Sequence, residues 1–484
     1  MNKIAFTNDL TVLLRGSRTL LVVATARTWK KRRFPCVLSE KLRGLAIDLA
    51  RDVGPGDNGN VQSTLTGGTA PRRLAAGVLP DQVSRHNSPA RAEAVRAIMS
   101  RLGADTRGKT AVLLVLEDAA HLTPAANAVG RALPLFSLRA STKPTTVQIA
   151  AVDTGGRAVR WTRAVKETVA ANREAARLVD TPPTDLDPAA LAREAKALLR
   201  GITGVRVREF VGPALLANKL GGIHAVGRCA VSKPRLLQAT FSPRGAKKHV
   251  ALVGKGITYD TGGLNIKTGS RMSGMKGDMG GAAAVLGAFR VLASSGCKHK
   301  LSLVLCIAEN AIGPAAYKPD DVVVFHSGKT VEINNTDAEG RLLLADGVSW
   351  AARKLKADVV IDAATLTGAQ GISTGYLHAA VVSNEEELET LLLESGRASG
   401  DLCHPLPFAP EFYRREFRSE IADLKNSVAN RKNAQSSCAA IFVYEHIADA
   451  GVRWGHVDLA SPARPRERGT GFGVALLAEA VRRL

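Results

Sequence analysis

Long apolar runs are missing from this 484-residue chain. A membrane-spanning helix needs about 18 to 20 consecutive apolar residues, whereas the longest candidates here, Thr19 to Ala26 and Val112 to Leu116, have the length of strands. The sequence therefore predicts no membrane-spanning segment, and it also lacks internal repeats and long low-complexity tracts.

Paired cysteines are missing as well. No two cysteines form a CxxC pair, and none have the spacing of a metal finger. This pattern excludes a zinc finger and predicts reduced, mostly buried thiols in an intracellular protein. The six cysteines are Cys36, Cys229, Cys297, Cys306, Cys403 and Cys438.

Acidic residues are scarce relative to basic ones. The chain has 66 Lys and Arg against 44 Asp and Glu, a net charge of +22, and residues 1–150 hold 22 of the basic and 10 of the acidic residues. The electric field of such a positive charge attracts nucleic acid or anionic surfaces. An Arg-rich overall composition explains the excess of basic residues equally well. Several basic residues precede Pro35, so a mitochondrial presequence stays open beside a cytoplasmic location, but Leu20 to Ala24 already resembles a first core strand.

The length favours two domains, and the hydrophobic pattern divides the chain near Thr154 to Trp161. We predict an α/β fold with a smaller N-terminal α/β domain (1–158), basic and used for oligomerisation or partner binding, and a larger C-terminal α/β domain (159–484) with a central mixed sheet flanked by helices. In the first domain we predict a long loop at Gly54 to Arg73 and helix-like stretches such as Ser88 to Leu102. Strands of this domain are predicted at Leu20–Ala24, Val112–Leu116 and Val147–Val152. Strands of the second domain are predicted at His249–Val253, Leu301–Ile307, Val322–Phe325 and Val359–Ile361.

One short stretch, NNTDAEGR (Asn334 to Arg341), places two acids and an arginine at alternating positions before an apolar run. Its residue types also suit a solvated turn that caps a helix. A second stretch, Val253 to Gly287, is rich in glycine and carries further isolated charges. From the charged residues of the two stretches, four carboxylates and three basic side chains form the candidate set: Asp260, Asp278, Asp337, Glu339, Lys255, Lys267 and Arg341.

Several carboxylates can share an apolar setting only if cations neutralise them. Oxygen-rich ligands suit Mg²⁺, Mn²⁺ or Zn²⁺ rather than a soft metal. The glycines of the second stretch would allow the backbone to approach a crowded centre closely. Ordinary turns, together with a tight contact between helix and sheet at Gly280 to Ala284, explain these glycines as well.

The motifs NTDAEGR with LLLADG, VGKGITYDTGG and MKGDMGGAAAVLG resemble the leucine aminopeptidase family, the cytosol-type dinuclear metallo-exopeptidases. RLVDTPPTDLDP, IDAATLTGA and WGHVDLASPA resemble further segments of that family. The likeness covers most of the larger domain, whereas residues 1 to about 155 match only in general character.

The resemblance implies a role for each charged residue. Asp260 and Glu339 would bridge two metal ions, Lys255 and Asp278 would hold the tighter ion, and Asp337 would serve the more exchangeable one. Lys267 and Arg341 would be catalytic without binding metal, and Arg341 would hold bicarbonate. Zn²⁺ or Mn²⁺ is expected, with Co²⁺ or Mg²⁺ as alternatives at the exchangeable site.

The resemblance also implies that residues 159–484 form a dinuclear-metal catalytic peptidase domain. Its activity would be a metal-dependent release of N-terminal Leu or a similar apolar residue from peptides with a free amino terminus. Water activated by two metals would attack the scissile carbonyl. Met275, Thr365 and Gly368 would line the pocket for the first residue. The family assembles as a homohexamer, a dimer of trimers, and the same assembly is expected here.

Two alternatives belong to other classes of protein. A nucleic-acid-binding protein, with or without peptidase activity, would use the basic N-terminal domain. A catalytically silent scaffold would show an altered residue in the set of seven, and the sequence contains none.

Overall fold

The structure is a computed structural model that describes residues 2–31, 38–68, 70–103, 108–140 and 145–484. The chain forms two compact units. Unit 1 comprises the chain up to Arg173 with Gly396–Gly400, and unit 2 comprises Glu174–Ser395 with Asp401–Leu484. This arrangement of two α/β units confirms the predicted fold class.

Unit 1 contains a mostly parallel sheet with the strand order β1-β6-β5-β2-β4-β3, in which only β3 pairs antiparallel among the described residues. Its strands are β1 (Lys3–Phe6), β2 (Thr19–Thr25), β3 (Asn60–Leu65), β4 (Arg73–Leu79), β5 (Lys109–Leu116) and β6 (Thr146–Asp153). Its helices are α1 (Leu10–Leu14), α2 (Ala26–Trp29), α3 (Glu40–Val53), α4 (Ala92–Leu102) and α5 (Leu122–Arg131), and α6 (Arg163–Asp180) contains the boundary at Arg173.

The apolar strands of unit 1 are covered on both faces. Along β2, Leu21 and Val23 join one hydrophobic cluster, while Leu20 and Val22 join another on the opposite face. Alternate side chains of a strand point to opposite faces, so a strand with a near-continuous apolar run needs helices on both sides.

Three expectations for unit 1 are wrong in detail. The predicted loop from Gly54 to Arg73 contains β3, whose short, largely polar pattern carries little strand signal. The predicted helix from Ser88 begins only at Ala92. The first strand is β1 rather than the one at Leu20, and its pairing with β6 gives the N-terminal residues a place in the sheet.

Unit 2 contains a mixed sheet with the order β15-β14-β17-β13-β9-β10-β8-β7 and a small sheet with the order β11-β12-β16. Its strands are β7 (Val205–Val211), β8 (Arg235–Phe241), β9 (His249–Asp260), β10 (Lys300–Asn310), β11 (Val322–Val324), β12 (Thr330–Glu332), β13 (Val359–Ala364), β14 (Ala379–Ser383), β15 (Cys403–Pro405), β16 (Leu424–Lys425) and β17 (Arg453–Asp458). Its helices are α7 (Pro188–Leu199), α8 (Pro213–Ala217), α9 (Gly221–Gly227), α10 (Gly280–Ser295), α11 (Gly340–Ser349), α12 (Gly368–Ser373), α13 (Glu386–Ser399, with its last residues in unit 1), α14 (Pro410–Tyr413), α15 (Gln435–Glu445) and α16 (Val474–Arg483).

Helices cover β9 on both faces. A Cβ added at Gly254 would come within 2.7 Å of the Ala282 Cα in α10, whereas one added at Gly347 in α11 would come within 2.7 Å of Val253. Successive residues of β9 therefore face α10 and α11 in turn, and Lys255 faces α11. None of the helices in the described ranges is long and apolar enough to cross a membrane.

Candidate metal centre

Strand β9 supplies two of the candidate ligands. It was predicted to end at Val253 but continues to Asp260, so Lys255 and Asp260 lie on the strand and not in a following loop. Residues five positions apart face opposite sides of a regular strand. Here Ile257 lies opposite Ala308 and Asp260 opposite Asn310, so β9 has one extra residue, a bulge that turns Asp260 to the side of Lys255.

The loop after β9 returns Lys267 to the strand end. Its glycine Gly262 has a φ of +87°, and a Cβ there would lie 2.5 Å from the Asn265 carbonyl oxygen. Only glycine fits such a conformation and approach without strain. As a result, Lys267 Nζ lies 2.8 Å from Asp260 Oδ2 and 2.6 Å from Asp337 Oδ1.

Asp278 follows a short 3₁₀ turn, Met275–Gly277, and precedes α10. The start of α10 packs tightly on the end of β13, since a Cβ at Gly281 would lie 2.1 Å from the Ala363 carbonyl oxygen. The predicted tight contact between helix and sheet is thus present. It brings Asp278 Oδ1 to 2.8 Å from Lys255 Nζ.

The NNTDAEGR stretch forms the turn that leads into α11. Glu339 is the residue before the helix, and its Oε1 lies 2.9 Å from Lys255 Nζ. A Cβ at Gly340 would come within 2.5 Å of Lys255 Cε, so this glycine leaves the room that the lysine occupies. The stretch therefore leads directly into the helix and carries two of the converging carboxylates, and no side chain of this described stretch caps α11.

The charged residues converge in unit 2. One carboxylate oxygen from each of Asp260, Asp337 and Glu339 lies within 4.8 Å of the others. Exposure rises across the group, because the side chains of Lys255 and Glu339 are each 3% exposed while that of Asp337 is 33% exposed. The centre has a buried end and an open end.

The electrostatics of the group reflect burial and crowding. Burial raises the pKa of Asp278 well above its usual range, and burial with the neighbouring Glu339 charge raises the pKa of Asp260. Burial lowers the pKa of Lys255, but the charges of Asp278, Glu339 and Asp260 outweigh it and hold that pKa above its ordinary value. More positive charge would stabilise these carboxylates.

Arg341 is buried in the first turn of α11, where Nη1 donates to the Asn426 carbonyl oxygen at 3.0 Å. Burial lowers its pKa to about 10, so the guanidinium stays charged at neutral pH. A buried cation of this kind can hold a small anion.

The pocket candidates lie beside the same centre or near it in sequence. Thr365 donates its hydroxyl to Asp278 Oδ1 at 2.8 Å. Met275 is half-buried three residues before Asp278, and Gly368 is exposed at the start of α12 with no atom within 4 Å of an added Cβ. The structure brings Thr365 into contact with the charged group, and the Met275 carbonyl oxygen accepts from Asp278 N at 3.1 Å. Among the described residues, Gly368 makes no hydrogen bond to the charged group.

Two buried asparagines were missed by sequence reasoning. Asn426 accepts from the backbone N–H groups of Asn334 and Asn335 and donates to the Asn335 carbonyl oxygen, so it shapes the turn that carries Asp337 and Glu339. Asn310 donates to Asp260 Oδ1 at 2.8 Å. Neither lies in a motif, and an isolated asparagine in one sequence carries no signal of such a role.

Comparison with known proteins identifies the family. The family model "Cytosol aminopeptidase family, catalytic domain" matches residues 173–478, and "M17 aminopeptidase N-terminal domain 2" matches residues 19–142. The chain belongs to the cytosol aminopeptidase family. Members of this family are metal-dependent aminopeptidases, and this chain is therefore a leucyl aminopeptidase-type hydrolase that uses divalent metal ions.

Individual family members agree with this assignment. The chain is 47% identical to probable aminopeptidase NPEPL1 of Mus musculus over 413 residues, which cover 82% of this chain and 77% of that protein. Apo leucyl aminopeptidase from Trypanosoma cruzi is 36% identical with a TM-score of 0.91, covering 99% and 97% of the two chains.

The leucyl aminopeptidase from Trypanosoma brucei in complex with bestatin is 34% identical with a TM-score of 0.90, covering 100% of this chain and 96% of that one. These relatives are aminopeptidases, and they give no support to the nucleic-acid alternative.

Proposed function

We propose that this aminopeptidase releases N-terminal leucine or a similar apolar residue, and that two divalent cations are held by Lys255, Asp260, Asp278, Asp337 and Glu339. One observation carries the proposal. Asp278 Oδ2 is buried without a hydrogen-bond partner among the described residues, although Asp278 Oδ1 shares Lys255 Nζ with Glu339, whose carboxylate clusters with those of Asp260 and Asp337. A buried carboxylate oxygen without a donor is costly unless a cation binds it.

The donor set fits divalent cations. Four carboxylates face three basic side chains, so the group keeps a negative balance that cations would neutralise. Carboxylate oxygens with one amine suit Zn²⁺ or Mn²⁺, with Co²⁺ or Mg²⁺ as further candidates at the open end. Such cations would polarise the scissile carbonyl and lower the pKa of water.

The contacts of Lys255 and Lys267, together with the 33% exposure of the Asp337 side chain, support a division of the five ligands. Lys255 and Asp278 belong to the buried end and would hold the tighter ion, whereas Asp337 at the open end would hold the exchangeable one. Asp260 contacts Lys267 and Glu339 contacts Lys255, and an oxygen of each lies within 4.8 Å of the other, so these two carboxylates would contact both ions. Lys255 must lose its proton to act as a ligand, because only a neutral amine has a free lone pair.

Lys267 and Arg341 carry the remaining chemistry of the proposal. The Lys267 ammonium lies at the open end and would donate to the oxygen on which negative charge develops during attack on the carbonyl. The buried Arg341 would hold bicarbonate, which would supply a proton acceptor near the attacking water.

The first residue of the substrate would lie against Met275, Thr365 and Gly368. Met275 offers an adaptable apolar surface, and the space above Gly368 leaves room for a side chain. A pocket with these properties would favour leucine or methionine over charged residues.

The assembly and location follow the family in this proposal. We expect a cytoplasmic homohexamer, a dimer of trimers, whose subunit contacts would cover some of the large apolar side chains exposed on unit 2, such as Ile372, Tyr376 and Phe412. Sedimentation should then give six times the 51.1 kDa of one chain, and a monomer with metal bound would contradict the assembly.

Hydrolysis of leucine p-nitroanilide tests the activity and the site together. Metal-stripped protein is assayed before and after addition of Mn²⁺, Zn²⁺ or Co²⁺, with Glu339→Ala in parallel and the exposed Glu411→Ala as a matched control. We expect metal to restore activity in the wild type and the control but not in Glu339→Ala. Full activity of the Glu339 variant would refute the proposed ligand set.

A further inference from the structure

The turn after β13, Thr365–Thr367, contacts the buried end of the metal centre. The Thr365 carbonyl oxygen accepts from Lys255 Nζ at 2.8 Å, and the Thr365 hydroxyl donates to Asp278 Oδ1 at 2.8 Å. A threonine expected to line the substrate pocket therefore touches two proposed ligands.

These contacts divide the two oxygens of Asp278. Oδ1 receives the Thr365 hydroxyl and Lys255 Nζ, whereas Oδ2 has no hydrogen-bond partner within the described ranges. The Thr365 methyl packs closely at the start of α10, since a Cβ at Gly280 would lie 3.1 Å from it. Threonine has few χ1 rotamers, and this packing favours the one that directs the hydroxyl at Asp278.

Asp458 holds the Thr365–Thr367 turn in place. It is the last residue of β17 and is fully buried. Its Oδ1 accepts from Leu366 N at 3.0 Å, and its Oδ2 accepts from the Thr367 hydroxyl at 2.7 Å. Both bonds involve a carboxylate, which makes them stronger than bonds between neutral groups when the group is ionised. Asp458 therefore fixes the two residues that directly follow Thr365.

We propose that Thr365 and Asp458 are positioning residues of the metal centre: Asp458 holds the turn, and the Thr365 hydroxyl orients Asp278 so that its free Oδ2 faces the buried cation. The inference rests on the proposed function because it concerns the same ligands. Removing an outer partner of this kind weakens metal binding by about 10- to 100-fold while all ligands stay in place.

The test compares Thr365→Val, which keeps the shape and loses the hydroxyl, with Thr365→Ser, which keeps the hydroxyl. Affinities for Mn²⁺ and Zn²⁺ are measured on metal-stripped protein by competition with a chromophoric chelator, together with the Tm. We expect Thr365→Val to lower the affinity for one of the two ions by about 10- to 100-fold. Thr365→Ser should bind both ions with the affinity of the wild type. Thr168→Val is the matched control, because the buried Thr168 hydroxyl donates only to the Ala164 carbonyl oxygen among its recorded partners.

Asp458→Asn provides a second, independent variant, since its amide nitrogen cannot accept from Thr367. We expect this variant to lower the affinity for the same ion that Thr365→Val affects. Wild-type affinity for both ions in folded Thr365→Val and Asp458→Asn would overturn the inference, as would a lower Tm with unchanged affinities.

The wild type separates this inference from the proposed function. If the wild type binds two ions and hydrolyses the leucyl substrate while the variants bind equally well, only the inference fails. If the wild type neither binds metal nor hydrolyses the substrate, the proposed function fails and the inference with it.

Discussion

The metal centre contains two lysines that each lie between two carboxylates, one at the buried end and one at the open end. Lys255 is 3% exposed beside Asp278 and Glu339, whereas Lys267 is 15% exposed beside Asp260 and Asp337, the latter 33% exposed. Similar contacts therefore have different surroundings. Water screens the open end, while breaking contacts at the buried end leaves charge with little compensation.

The largest effect is expected from replacing a carboxylate at the buried end of the centre, compared with one at the open end. Asp278→Asn should reduce metal affinity by more than the about 100-fold typical of outer partners, because the variant lacks a carboxylate that we propose as a ligand. Asp337→Asn should weaken only the binding of the exchangeable ion. Metal content after dialysis, measured by mass spectrometry, checks both variants, and equal losses would remove the distinction between the ends.

The second prediction concerns the two lysines. Lys267→Met should lower kcat by about 100-fold with little change in KM, as loss of an oxyanion donor does, and it should keep both metal ions. Lys255→Met should instead lose the buried ion. Steady-state kinetics with metal analysis tests this, and Lys329→Met, away from the centre, is the control. Loss of metal from Lys267→Met would contradict a purely catalytic role.

The third prediction tests how tightly the buried end is packed. An alanine at Gly340 would place its Cβ 2.5 Å from Lys255 Cε, so Gly340→Ala should displace that lysine and lower activity by about 10-fold. Gly44→Ala in α3 meets no atom within 4 Å and should instead stabilise the protein by up to about 1 kcal/mol. Thermal unfolding and leucyl hydrolysis measure the two variants, and an active Gly340→Ala would show that the lysine can move.

The smallest expected effect is at the protein surface. Arg157 and Asp153 form an ion pair in which the arginine side chain is 90% exposed. Arg157→Ala should change the free energy of unfolding by less than about 1 kcal/mol, because water screens such pairs. Urea unfolding measures it, and a larger loss would mean that exposure is a poor guide to the strength of these contacts.

The sequence anticipated much of the fold but not every boundary. The apolar strands β2, β5 and β6 were predicted within one to three residues, because long apolar runs have few alternatives in a buried sheet. The polar edge strand β3 was missed, since only its pairing with β4 makes it a strand. Local pattern cannot report such pairing.

The residue types of the metal centre were also readable from the sequence. Four carboxylates that come together need cations to neutralise them, so the residue types alone predicted a cation site. The NTDAEGR motif indicated the family. The bulge in β9 was not readable, because it depends on the register with β10, in which Asp260 lies opposite Asn310. The roles of Asn426 and Asp458 were not readable for the same reason, since their partners lie far away in the chain.

The sequence by itself determined the family, the two α/β domains and the set of charged residues, because each depends on residue identity and local pattern. Only the tertiary structure decided which carboxylates share a lysine, which end of the centre is open and which oxygen of Asp278 is left free. Those features depend on distances of a few ångströms between residues far apart in the chain, and only the packed sheet and helices set such distances.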